Sequence, residues 1–206
     1  GEAHVADFSR DLATAFYEFE QGLPEPFVED PRDYRKGIEI VTQFGPKGLQ
    51  RICERLGEIQ QRPSIGIDVE TNDLLPHKRL DPKVLSIAVG NYEDTLAFGI
   101  DHPECQWTKD ERSVLLAALN TFLLKSGRKW AHYLKMEQSW LRWLFGDDVL
   151  YKTTWGDTHS QAHAIDERAG KELEDLTLLH FGFDVKSVEN VDKKRLSEYP
   201  LEKVLW

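Results

Sequence analysis

The run Ile65-Gly66-Ile67-Asp68-Val69-Glu70 constrains this chain more than any other stretch, because an apolar segment closes there on two carboxylates that straddle one apolar residue. In an extended strand alternate side chains share a face, so Asp68 and Glu70 point the same way. Like charges held that close repel each other and resist burial, and they are stable mainly where a cation or a shared proton compensates them. A divalent metal is the economical compensation. A solvent-facing strand end with incidental acids is the alternative that the pair by itself leaves open.

From Gly37 onward the sequence alternates between strand and helix signals. Ile38-Glu39-Ile40-Val41 reads as a strand and Pro46 to Gln60 as a helix, with the proline suited to a first turn. After the acidic strand, Val84 to Gly90 and Thr95 to Ile100 read as a hairpin joined by Asn91-Tyr92-Glu93-Asp94. A helix follows from Asp110 to Lys125, with Thr108 as N-cap and Leu115, Leu116, Leu119, Phe122 and Leu123 on one face. Next come a short strand at Lys129 to His132 and a helix through Leu144, whose Trp140, Trp143 and Leu144 pack it on the sheet. A last strand at Thr153 to Gly156 leads to helices at Thr158 to Asp166, Lys171 to Phe181 and Asp192 to Trp206.

The segment His132-Tyr133-Leu134-Lys135-Met136-Glu137 runs into a helix that carries another carboxylate. With Asp68-Val69-Glu70-Thr71 it resembles the first two motifs of the 3′–5′ exonuclease domain of family A DNA polymerases, within the DEDD exonuclease superfamily. Trp155-Gly156-Asp157-Thr158-His159-Ser160-Gln161-Ala162-His163 is similar to the Asp-Thr strand-to-helix junction those domains carry after the second motif. The resemblance runs from about Ile38 to the C-terminus, with two departures. Tyr133, Met136 and Glu137 stand where the family's second motif has an Asn, an aromatic and an Asp. The third motif, a Tyr or His followed by an Asp, is expected just beyond Leu205-Trp206, which reads as a chain cut before it. His180 and Asp184 have that motif's spacing, but they flank Phe181-Gly182-Phe183, which reads better as a helix C-cap.

The resemblance implies an α/β fold: a ribonuclease H-like mixed β-sheet of about five strands flanked by helices, with the acidic strand central. It implies two-metal hydrolysis of a 3′-terminal phosphodiester, with Mg²⁺ or Mn²⁺ held by Asp68, Glu70 and Glu137. Asp68 would bridge both ions, Glu70 would hold the first and Glu137 the second. Thr71, Asn72, Leu74 and Tyr133 are the expected substrate contacts: Thr71 and Asn72 at the terminal sugar, Leu74 as a wedge between bases, Tyr133 as a stacking ring. Asp157 is expected behind the site, at a helix start. The implied partners are the 3′ end of single-stranded DNA and a polymerase domain of the same parent protein. A ribonuclease D-type RNA exonuclease shares these motifs. A non-catalytic module that keeps the exonuclease fold is the remaining reading; the changes at Tyr133 and Glu137 favour it, and the intact acid pair argues against it.

The formal net charge of −10 speaks against a free-standing, high-affinity nucleic-acid binder, since phosphate contacts call for a basic surface. That objection weakens for a metal-charged pocket that takes one strand end. Residues 1–34 stand apart as an N-terminal helix and linker, with packing on the core, a bridge to an upstream domain and partial disorder all left open: Phe8 to Glu20 is helical in pattern and Gly22-Leu23-Pro24-Glu25-Pro26 breaks it. Residues 35–206 form the exonuclease-like domain. Cys53 and Cys105 lie far apart and suit a reducing compartment. With no apolar run of membrane-spanning length and no signal-peptide pattern, the sequence reads as soluble and cytoplasmic, without a membrane partner.

Overall fold

A single sheet organises the chain, and its hydrogen-bonding order explains where the acids end up. The computed structural model describes residues 37–91, 93–168, 170–181, 192 and 195–205. The helix and linker expected within 1–34, and Asp184 of the alternative third motif, lie outside the described residues. The chain divides into two units, one of Gly37–Asp157 with Val191–Trp206 and the other of Gly1–Lys36 with Thr158–Asn190.

In the first unit six strands form the sheet: β1 (Ile38–Val41), β2 (Ser64–Thr71), β3 (Val84–Gly90), β4 (Thr95–Gly99), β5 (Arg128–Ala131) and β6 (Trp155–Asp157). Their order is β1-β4-β3-β2-β5-β6, the six strands that the sequence pattern marks, where the resemblance implied about five. The antiparallel meander β2-β3-β4 sits between parallel neighbours, β1 on β4 and β5 and β6 beyond β2. The acidic strand β2 is therefore internal, as expected. Where antiparallel pairing gives way to parallel pairing, the strand ends part and open a notch.

Helices α1 (Gly45–Ile59), α2 (Lys109–Lys125), α3 (Leu134–Phe145) and α4 (Asp148–Tyr151) cover one face of the sheet. Ile52, Leu56 and Ile59 of α1 meet Leu115, Leu119, Phe122 and Leu123 of α2 over Ile65, Ile67, Val69, Ile87, Val89 and Phe98. The α2 start is a full capping box: Thr108 Oγ1 accepts from the Glu111 N–H at 3.2 Å and Glu111 accepts from the Thr108 N–H at 2.9 Å. Trp140 is fully buried, whereas Trp143 stays 44% exposed and meets Trp140 edge-on, so it does not pack on the sheet as expected. The short helix α4 has no counterpart in the sequence reading, and β6 begins two residues later than expected.

Beneath the opposite face the C-terminal segment runs under β1, β3 and β4. Leu196 and Val204 pack on Leu85, and Leu201 and Leu205 on Ala97. The single helix expected over Asp192 to Trp206 is instead a 3₁₀ turn at Leu196–Glu198 and a helix α7 at Leu201–Val204. Pro200 is the reason: its ring pushes Tyr199 into the extended region, at φ −87° and ψ 155°. Glu104 Oε2 then accepts from the Leu201 N–H at 2.9 Å and fixes the new start.

The second unit contributes α5 (Thr158–Ile165) and α6 (Leu173–Phe181) to the described residues. Among the described residues no helix is long and apolar enough to cross a membrane.

Candidate active site

Strict alternation places the acids. Ile65, Ile67 and Val69 are buried in the core, so the intervening Asp68 and Glu70 face the other way, Asp68 exposed and Glu70 half-buried. A bulge follows at once: Glu70 pairs with Ser86 but Thr71 pairs with Val84, leaving Leu85 as an extra residue on β3. Thr71 stays on the buried side in step with Val69, and the bulge lets Leu85 reach the C-terminal segment.

Glu137 comes to the acids because two strands part. The β2–β5 ladder ends at Gly66↔Trp130, while β2 runs on to Thr71. Beyond Gly66, β2 has no ladder partner on that side. Glu137, in the first turn of α3, fills the opening at 1% exposure. Neither carboxylate oxygen makes a hydrogen bond. Burial, then the charges of Asp68 and Glu70, push its carboxyl from an ordinary 4.5 up to about 10, and the nearby Val69 N–H opposes the shift only in part. The structure thus brings together the three carboxylates that the sequence nominated.

The start of α3 is under backbone strain. Tyr133 adopts the left-handed conformation, φ 64° and ψ 48°, as the only non-glycine residue with positive φ among the described residues. Asp157 holds it there, its Oδ1 accepting from the Tyr133 N–H at 3.2 Å. Asp157 therefore supports the helix that carries Glu137, and the Tyr133 ring stands 56% exposed at the rim. Asparagine tolerates this conformation, and Tyr133 is more than half exposed. Tyr133→Asn is expected to stabilise the fold by about 1 kcal/mol, or about 2–4 °C in Tm, while weakening strand binding. Thermal melts and strand titrations check this, and a lower Tm would mean the ring packs structurally.

The loop after β2 is tied down at its base. The Asn72 Nδ2 donates to Asp81 O at 2.8 Å and its Oδ1 accepts from the Lys83 N–H at 3.0 Å. Thr71 Oγ1 donates to Asp73 O at 2.6 Å, and the buried Trp140 Nε1 donates to the same carbonyl at 3.1 Å. The Asn72 and Thr71 side chains thus brace the loop, and the Asn72 N–H is itself taken by Lys83 O at 3.2 Å. Leu74 is 68% exposed, so it is a rim residue and not part of the core. The sequence reading missed Trp140's hydrogen bond, because spacing marks a core face but not what an indole N–H reaches. It also missed a cleft of about 150 Å³ lined by Thr71, Asn72, Arg79, Leu85, Leu196 and Ser197. The basic run His77-Lys78-Arg79 was the available signal for it.

Among the described residues no three His, Cys, Asp or Glu side chains stand in an arrangement that grips a metal as it is. The donor chemistry nonetheless fits a hard divalent cation, since Asp68, Glu70 and Glu137 offer only carboxylate oxygens. Glu137's buried, unpartnered oxygens are what such an ion would satisfy.

No family model matches this chain, and no curated protein sequence matches it. Solved structures do. The Nibbler EXO domain of Aedes aegypti superposes with a TM-score of 0.54 at 13% identity, covering 82% of this chain and 79% of that one. Escherichia coli RNase D, an exoribonuclease involved in structured RNA processing, gives 0.53 at 17% identity over 76% of this chain and 37% of its own. The catalytic core of RRP6 from Trypanosoma brucei gives 0.53 at 15% identity over 81% and 41%. The chain spans about two fifths of the RNase D and RRP6 chains. At these identities the likeness is one of architecture, and the chain has the ribonuclease H-like mixed sheet of these exonuclease structures.

Proposed function

We propose that this chain is a metal-dependent 3′–5′ exonuclease module of the DEDD superfamily, of the RNase D kind, hydrolysing the 3′-terminal phosphodiester of single-stranded RNA. Glu137 carries the proposal: a carboxyl 1% exposed, without a hydrogen bond, set against two further acids. A group so costly to bury and so strongly perturbed marks a functional site more often than a structural one. The fold likeness to RNase D, RRP6 and the Nibbler EXO domain supports the same reading, and the exoribonuclease activity of E. coli RNase D favours RNA.

Asp68, Glu70 and Glu137 would hold Mg²⁺ or Mn²⁺, and bound ions supply an activated water and neutralise charge on the leaving oxygen. Glu137 must lose its proton for this, which ties cation binding to proton release. Asp157 keeps α3 in place through the Tyr133 N–H, and so positions Glu137. The exposed Tyr133 ring and Leu74 side chain offer surfaces for the terminal bases. Thr71 and Asn72 brace the loop against which the terminal sugar would lie.

DNA proofreading beside a polymerase domain is the second reading, favoured by the sequence of Asp68-Val69-Glu70-Thr71 and by the Asp157-Thr158 junction. The test is nucleotide release from 5′-labelled single-stranded RNA and DNA of one sequence, with Mn²⁺ and then Mg²⁺, alongside Asp68→Ala. A ladder shortening from the 3′ end of RNA and lost in the variant is the expected result. Faster shortening of DNA selects the second reading. No shortening of either strand defeats the enzyme and leaves a binding module.

A further inference from the structure

We infer that the cleft beyond β2 is a subsite for a backbone phosphate of the nucleic-acid strand, with Arg79 as its cation; the inference rests on the function proposed above. Thr71 and Asn72 line the cleft one and two residues past Glu70, which is about 7 Å along an extended strand. A strand whose reacting phosphate lies at the carboxylates has its next backbone groups within that reach. Arg79 is the one charged residue lining the cleft, and Ser197 lines it from the C-terminal segment.

Arg79 is oriented in advance. Its Nε pairs with Asp73 Oδ2 at 3.2 Å, while Asp73 Oδ1 accepts from the Leu74 N–H at 2.7 Å. The carboxylate is thereby locked from both sides. It uses one edge of the guanidinium, and no other ion pair of Arg79 occurs among the described residues. The terminal amino groups remain for an acceptor of phosphate geometry. The loop that carries Arg79 is braced by Asn72, Thr71 and Trp140, so binding there orders little that is not already ordered.

A cation at this place also suits the chemistry. Asp68 and Glu70 repel a phosphodiester until they are neutralised, and the net charge of −10 gives the chain no overall attraction for a strand. A fixed arginine in the cleft past the acidic strand supplies local attraction without pairing with Asp68, Glu70 or Glu137. A neutral or acidic ligand of other geometry would not use the guanidinium fork so fully.

The test is anisotropy titration of a labelled single-stranded oligonucleotide in the Asp68→Asn background with Mg²⁺, across a salt series, comparing Arg79, Arg79→Ala and Arg79→Lys. Arg79→Ala is expected to weaken binding roughly tenfold at low salt, and Arg79→Lys to restore part of it. The slope of log affinity against log salt is expected to fall by about 0.7 in the alanine variant, one single-strand phosphate. Arg79 is half exposed, so circular dichroism should give the three proteins the same melting temperature. Affinity and slope unchanged in Arg79→Ala overturn the subsite and leave the proposed function standing. No oligonucleotide binding by the Asp68→Asn protein or by the unmodified chain with Ca²⁺ overturns both.

Discussion

Asp68→Asn is expected to release 3′-terminal nucleotides at least roughly a thousandfold more slowly than the unmodified chain, with no loss of folding stability. The activity loss follows from Asp68's place in the acid cluster. Removing a charged ligand from a two-ion site forfeits several kcal/mol of transition-state stabilisation, and about 4 kcal/mol is a thousandfold in rate. Stability is spared because Asp68 is exposed on the sheet face away from the main core. Removing one of the two charges that press on Glu137 also relieves it. The measurement is single-turnover hydrolysis of labelled strand beside a thermal melt. A variant that melts lower and cleaves at the original rate would show Asp68 to be structural.

Glu137→Gln is the second large effect, and it reverses the usual direction of a core substitution. In the metal-free protein the Glu137 carboxyl is pushed up to about 10, while in the unfolded chain it ionises near 4.5. Folding therefore favours the protonated form. Below about 4.5 the group is protonated in both states and the wild-type chain suffers no penalty from it. As pH rises from there to about 10, the unfolded state sheds a proton that the folded state keeps, and wild-type stability falls. Glutamine does not titrate. The variant should gain on the wild type with rising pH, by about 3 kcal/mol at pH 7. Urea unfolding at pH 5 and pH 8 in a chelator reads this gap, and an equal gap at both values would refute the burial of the carboxyl. Adding Mg²⁺ or Mn²⁺ should stabilise the wild type more than the variant, since the cation takes the proton's place. Activity should be lost in the variant, so the same residue trades stability for function.

Much of the site was legible before folding because period-2 alternation is a local rule. It put Asp68 and Glu70 on one face from two letters' spacing, and the helical pattern after Tyr133 put Glu137 on a first turn. The elements from Ile38 to Phe145 appear within one or two residues of expectation, since each has an apolar period and a strong stop signal. The C-terminal helix was misread because its residues favour helix while Pro200 was left out of account. Asn72 was assigned to substrate from its position, yet its amide closes a loop across nine and eleven residues, a partnership no local pattern reveals.

The sequence by itself determined the alternation of elements, the shared face of Asp68 and Glu70 and the acidity of the region, because these depend on neighbours a few residues apart. Only the tertiary structure decided the rest. Glu137's burial follows from two parallel strands parting after Gly66↔Trp130, and the strain at Tyr133 is held by Asp157, twenty-four residues on. The cleft joins Arg79 to Ser197, which the sheet brings together from distant parts of the chain. Desolvation, repulsion and strain arise from what surrounds a group in space, and that is set by the strand order rather than by adjacency along the chain.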